Sequence, residues 1–243
     1  MQAINQLKTW LQASLSAVFF GGAGVSTESG IPDFRSEKGI YRTISTYGVS
    51  PEVILSHDFL EEKPEIFYDY YRKNLIYPDA EPNKAHLQLA EWERQGHLAA
   101  VVTQNIDGLH QKAGSRTVHE LHGSVLRNYC LRCGHKFGLE IVTESDGIPR
   151  CPECGGFVRP DVVLYGEGLD QDVISDSIRA IYQADLMIVG GTSLNVYPAA
   201  GLLQYFRGKH LVLVNLDETP YDSQADLVIH EKIGEVFGQI QLD

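Results

Sequence analysis

Apolar residues recur along this chain in two alternating rhythms. At Ile4, Leu7, Leu11 and Leu15 they fall three or four positions apart, the spacing that turns one face of a helix toward a core. Ala17-Val18-Phe19-Phe20 follows as an unbroken apolar run, short enough for a strand covered on both faces. The pairing repeats as helix Asn83 to Gln95 and strand His97 to Thr103, then as helix Gln171 to Gln183 and strand Asp185 to Val189. A further helix around Ala199 to Arg207 precedes a strand from His210 to Asn215. Such alternation predicts an α/β fold, a parallel sheet with helices on both faces.

The rhythm breaks twice, from about Ser36 to Asp79 and from about Ser124 to Arg159, and the two inserts are expected to pack together as a smaller domain. The division is then 1–35, 80–123 and 160–243 for the sheet domain, and 36–79 with 124–159 for the small one. Open parallel sheets bind ligands outside the carboxyl ends of their strands. Gly21 to Ser26, Thr103 to Asp107 and Gly190 to Ser193 should therefore converge, and polar residues cluster at those three strand ends.

Composition narrows the function. The 243 residues are 43% hydrophobic and carry a formal net charge of −12. That charge argues against a general affinity for nucleic-acid phosphates and favours a cationic partner. No stretch approaches the ~18 apolar residues of a membrane span, and the run at Ala17 lacks the flanks of a signal peptide. The expected location is the cytoplasm, with no membrane partner. All four cysteines fall in two C-x-x-C pairs, which in a reducing compartment points to metal rather than disulfides.

Four constellations carry candidate chemistry. Gly21-Gly22-Ala23-Gly24-Val25-Ser26-Thr27 follows a strand directly, where absent side chains let backbone N–H groups approach a pyrophosphate; Thr27 stands where a full dinucleotide fingerprint has its third glycine. A bare tight turn is the other reading. Cys130-x-x-Cys133 and Cys151-x-x-Cys154, separated by positions 134–150, have the spacing of a four-cysteine zinc site, and a filled thiolate shell makes the ion structural. His119-Glu120-Leu121-His122-Gly123 lacks the spacing of a metalloprotease helix, so one of its histidines is better cast as a general base. Thr103-Gln104-Asn105-Ile106-Asp107 offers amides and a carboxylate to a ligand, or else a helix-capping turn.

Together these residues resemble the sirtuin family, and most closely its short bacterial members. The matching stretches are Gly22–Arg35, Thr103–Gly114, Glu120–Gly123, the two cysteine pairs, Arg159–Glu167, Gly191–Ala200 and Val214–Pro220. The resemblance implies a Rossmann-like sheet domain with a smaller inserted zinc-binding domain, and a cleft between them for NAD and an acetyl-lysine peptide. It implies NAD-dependent deacetylation of protein lysines, with NAD consumed to nicotinamide and O-acetyl-ADP-ribose, and one structural zinc ion. By that similarity Ala23, Thr27, Phe34 and Arg35 hold phosphates and the nicotinamide ribose. Gln104, Ile106 and Asp107 form the nicotinamide pocket, with Asp107 holding the carboxamide, and Asn105 orders the ribose side and a water. Thr192, Ser193, Asn215, Asp217 and Ile233 line the adenosine end, while Val163 and Tyr165 clamp the substrate lysine. His122 is the implied catalytic base, drawing a proton from a ribose hydroxyl.

Members that prefer succinyl-lysine are similar in using a tyrosine and an arginine three residues apart on one helix. Here Tyr70 is followed at that distance by Lys73, with Arg72 one position out of register, so acetyl-lysine is the expected substrate. Protein ADP-ribosyl transfer, or another acyl group, is the alternative reading. A hydride-transferring dehydrogenase is disfavoured because Tyr41 and Arg42 occupy the region where its acidic ribose-binding residue would end a strand. A stand-alone zinc-ribbon module leaves most of the chain without a role. A monomer acting on acylated lysines of proteins completes the expectation.

Overall fold

A computed structural model of the chain describes residues 1–32 and 43–242. Its strands are β1 (Ala17–Gly21), β2 (Leu98–Thr103), β3 (Val118–Glu120), β4 (Gly123–Cys130), β5 (Lys136–Phe137), β6 (Val158–Val162), β7 (Leu186–Gly190), β8 (His210–Val214) and β9 (Leu227–Ile229). Six of them form one parallel sheet in the order β3-β2-β1-β7-β8-β9, and the other three form an antiparallel sheet in the order β5-β4-β6. The strand order reverses direction between β1 and β7, as in a dinucleotide-binding α/β fold.

The unbroken apolar run in β1 is explained by burial on both faces. Phe19 meets Leu7, Leu11, Leu89, Trp92 and Phe237 on one side, while Val18 and Phe20 meet Ile181, Leu202 and Leu203 on the other. A third core lies away from the large sheet. It joins Ile54, Phe67, Tyr68 and Tyr71 to Val125 of β4, Val162 of β6 and Val142, so the two inserts share one apolar cluster.

Two sequence expectations require correction. Leu15 is not part of the first helix's apolar face: the helix runs Gln2–Ala13 and Leu15 is exposed. The cause is Asp185, whose carboxylate accepts from the Ser14 hydroxyl, from Leu15 N at 3.0 Å and from Ser16 N at 3.2 Å, and so pulls the chain out of helix before β1. The stretch expected as an α-helix around Ala199 to Arg207 is instead a 3₁₀ run, Ala199–Tyr205, with i to i+3 bonds such as Gly201 N to Pro198 O at 3.0 Å. A glycine in its middle weakens α propensity, and a short connector tolerates the tighter winding. No helix among the described residues is long and apolar enough to cross a membrane.

Candidate active site

The site begins where β1 and β7 part. Gly24 N donates to Gly191 O at 2.8 Å, and the two loops touch main chain to main chain. Gly191 has φ 60°, and a Cβ placed there would lie 2.4 Å from Val25 N; a Cβ on Gly24 would lie 2.8 Å from Gly191 Cα. Any side chain at either position would force the loops apart. The third strand end is tied in by Gln104, whose N donates to Gly21 O at 2.9 Å and whose Nε2 donates to Thr192 Oγ1 at 3.1 Å. The three strand ends converge as the sequence predicts.

Behind this junction lies a buried polar network. Ser26 Oγ donates to Asp107 Oδ2 at 2.7 Å and accepts from Asn105 Nδ2 at 3.0 Å. Asp107 Oδ1 accepts from Leu109 N at 2.9 Å, so this carboxylate caps a turn while also lining the cleft. His86 Nε2 stands 3.5 Å from Ser26 Oγ, and its Nδ1 accepts from Asn83 N at 3.3 Å. His110 packs edge-on against His86 with ring centroids 4.8 Å apart, and neither of its ring nitrogens has a hydrogen-bond partner among the described residues. Sequence reasoning gave Ser26 and His86 no role. Ser26 was hidden inside the glycine-rich stretch, and His86 stands in the third helical position where glutamate or glutamine marks a capping box.

His122 lies in the turn between β3 and β4, two residues past Glu120. Its Nδ1 lies 2.9 Å from Gln104 O, and because a carbonyl only accepts, Nδ1 carries the proton and Nε2 the lone pair. His119, the other histidine of the motif, is half-buried on β3, and burial lowers its pKa despite Asp176 nearby. It does not line the cleft.

The cleft has a volume of about 750 Å³. Ala23, Gln104, Asn105, Ile106, Asp107, His122, Val163, Tyr165, Thr192 and Ser193 all line it. An adjoining pocket of about 460 Å³ brings together Thr27, Thr192, Ser193, Asn215, Asp217 and Ile233. Phe34 and Arg35, expected at the phosphates, lie outside the described residues, as do Tyr41 and Arg42. The helix Pro64–Asn74 carries Tyr70, Arg72 and Lys73. Tyr70 is buried edge-on against Tyr47. Arg72 turns into the other insert, donating to Val142 O at 2.7 Å, Ser145 Oγ at 3.1 Å and Gly147 O. Lys73 pairs with Asp69 at 2.6 Å. None of the three lines the cleft.

The sulfurs of Cys130, Cys133, Cys151 and Cys154 all lie within 4.8 Å of one another, with Cys130 to Cys154 at 3.5 Å and Cys133 to Cys151 at 3.7 Å. Four thiolates around a tetrahedral ion at about 2.3 Å require sulfurs about 3.8 Å apart, and the spacing fits.

Comparison with known proteins gives a consistent answer. A model of the Sir2 family matches residues 22–198. An NAD-dependent protein deacetylase of Clostridium acetobutylicum is 58% identical over 97% of this chain and 97% of its own. One from Clostridium perfringens is 56% identical over 98% of both. Among solved structures, a Sir2 complex with a p53 peptide and NAD+ is 41% identical, with a TM-score of 0.85 over 96% of this chain and 95% of that one. Another, with a deacetylated p53 peptide and 3'-O-acetyl ADP ribose, is 42% identical with a TM-score of 0.87 over the same shares.

The buried histidines generate a pH dependence. Burial lowers the pKa of His86 to about 4 and that of His110 to about 3, the latter with help from its neighbour His86. The unfolded chain then binds more protons than the folded one below about pH 6.5, so their stabilisation is complete above that value and is lost as pH falls toward 4 and 3. Each histidine costs up to about 1.4 kcal/mol per pH unit in that window, or about 3–6 °C in Tm. The replacement His110→Leu is expected to flatten the Tm profile between pH 6.5 and 4; an unchanged slope contradicts the assignment.

Proposed function

The chain belongs to the Sir2 family, and on that premise we propose that it is an NAD-dependent protein-lysine deacetylase working through His122. It converts acetyl-lysine, NAD and water to lysine, nicotinamide and O-acetyl-ADP-ribose. The observation that carries this reading is the His122 Nδ1 contact to Gln104 O at 2.9 Å, which leaves Nε2 as the basic nitrogen at the meeting point of three glycine-rich and amide-rich loops. An amide oxygen is a weak nucleophile, so the reaction needs a carbon made electrophilic by nicotinamide leaving. Asp107, with one oxygen fixed by Ser26 and the other by Leu109 N, supplies a rigid acceptor for the nicotinamide carboxamide. Asn105, fixed in turn by Ser26, orders the ribose side and a water. His122 Nε2 then accepts a proton from a ribose hydroxyl, freeing that oxygen to attack the acyl carbon.

Around this centre, Ala23 and Thr27, with Phe34 and Arg35, serve the phosphates and ribose. Gln104 and Ile106 complete the nicotinamide pocket. The smaller pocket, with Thr192, Ser193, Asn215, Asp217 and Ile233, takes the adenosine, and its size and its continuity with the cleft support that division. Val163 and Tyr165 form the wall against the acylated lysine. The shared apolar cluster supports treating 36–79 and 124–159 as one small domain. Zinc is the ion proposed for the four cysteines, since soft thiolates in a tetrahedral set suit it and a closed shell confines it to a structural role. Cysteines kept out of disulfides in this way also favour the cytoplasm.

Four measurements test the reading. His122→Ala should lower deacetylation by ~10² to 10⁴ while NAD affinity stays within a few fold; more than a tenth of wild-type activity at saturating substrate rules His122 out as the base. Label from NAD appearing on the protein substrate, with no free lysine formed, would favour ADP-ribosyl transfer instead. Purified protein should contain one zinc per chain, and Cys130→Ser should lower Tm and solubility, with activity lost only as the small domain unfolds; a metal-free wild type, or an ion with an exchangeable water, contradicts this. Because Arg72 is committed to Val142, Ser145 and Gly147, acetyl-lysine should exceed succinyl-lysine by at least about tenfold in kcat/KM, close to 1.4 kcal/mol. Equal efficiencies on matched peptides would mean that a cation does reach the acyl group.

A further inference from the structure

One nearly buried ion pair has no task in the chemistry above. Arg159, in β6, donates from Nη1 to Glu167 Oε1 at 2.6 Å and from Nη2 to Glu167 Oε2 at 3.0 Å, and it also donates to Pro160 O at 3.2 Å and Val162 O at 3.0 Å. Glu167 Oε2 accepts from Leu164 N at 2.9 Å, and Oε1 lies 2.9 Å from His57 Nδ1. His57 opens the helix His57–Glu62, and its own N donates to Tyr165 O at 2.9 Å while Tyr165 N returns to Leu55 O at 2.9 Å. The carboxylate thus grips the chain between β6 and Gly166 from one side, and the helix grips it from the other.

Beyond β6 that segment has, among the described residues, only a single parallel bridge, Tyr165 to Ser56, and the bond from Val163 N to His122 O at 3.0 Å. It follows the last residue of β6 and runs into Gly166, at φ 90°. A buried arginine–glutamate pair is a poor source of net stability, because desolvation offsets the attraction; what it supplies is a fixed geometry. Burial by itself would raise the Glu167 carboxyl, yet Arg159, the Leu164 N–H and His57 together hold it down at about 2, so it is charged at any working pH. The main chain so fixed, Val163 to Tyr165, is the cleft wall opposite the glycine-rich loops. The His122 ring takes its orientation from Gln104 O, while its main-chain O accepts from Val163 N at 3.0 Å and so ties the wall to the loop that carries it.

We infer that Arg159, Glu167 and His57 are positioning residues that hold the Val163–Tyr165 wall in shape for the acylated lysine, and so set affinity for the peptide and leave affinity for NAD alone. The inference rests on the deacetylase reading. It separates two roles that the cleft combines: the cofactor side is shaped by main-chain contact at glycines, and the peptide side by a side-chain ion cluster.

Steady-state kinetics of the full chain, with NAD and an acetyl-lysine peptide varied in turn, test it in Glu167→Gln and His57→Gln. Asp185→Asn, whose carboxylate serves the opposite end of the sheet, controls for lost stability. All are assayed well below their Tm. The expected result is a peptide KM raised about fivefold or more in Glu167→Gln and about twofold to fivefold in His57→Gln, with kcat and the KM for NAD within about twofold of wild type. His57 is 43% exposed, so its variant should fold even if Glu167→Gln does not. An unchanged peptide KM in His57→Gln and in any folded Glu167→Gln overturns the inference, as does a parallel fall in kcat with both KM values altered as in Asp185→Asn. Wild-type protein that releases no nicotinamide would instead overturn the functional reading, and this inference with it.

Discussion

Where β1 and β7 part, Gly24 and Gly191 bring two loops into main-chain contact, at a separation that leaves no space for a methyl group on either. Much of the site depends on that approach. It sets the path of residues 22–26, which places Ser26 against Asp107 and Asn105, and it sets Thr192 at the distance where Gln104 can reach it. Gln104 in turn presents the carbonyl that orients His122. A short chain of contacts therefore runs from a packing constraint to an imidazole of fixed tautomer, with every link either a backbone group or a polar side chain.

The opposite wall is organised differently. It hangs from the small sheet, and that sheet is held by the aromatic helix Pro64–Asn74 on one side and by the cysteine cluster on the other. Tyr68 donates to Val158 O at 2.6 Å and Arg72 reaches Val142 and Ser145, so the two inserts are stitched by hydrogen bonds as well as by apolar packing. The four-cysteine cluster lies at the far end of β4 and β6 from the cleft, so any influence it has there must pass through the small sheet.

Much of this was legible in the sequence. The parallel core was, because strands buried on both faces read as unbroken apolar runs and their helices as three-and-four spacing. The strand-end motifs were, because glycine, amide and carboxylate side chains stand where a parallel sheet exposes its carboxyl ends. What escaped was long-range. Leu15 kept the helical period but lost its helix to Asp185, a residue on the far side of the chain that no local pattern reveals. The 3₁₀ run at Ala199–Tyr205 has an apolar pattern compatible with either winding. Arg72 reads as a solvated charge or a substrate ligand until its partners, more than sixty positions away, are seen. The roles of Ser26 and His86 depend on residues from three separate segments meeting behind the cleft.

The bond from His122 to Gln104 has a consequence for how the protein can vary. The acceptor is a peptide carbonyl, which all twenty amino acids possess, so the tautomer of the histidine is encoded by the course of the chain and not by the letter at position 104. Exchanging that side chain would remodel the contact with Thr192 and the lining of the cleft while the imidazole kept its orientation. Variation at this position can thus retune what the cleft admits without disturbing the imidazole beside it, and the two properties are free to evolve apart.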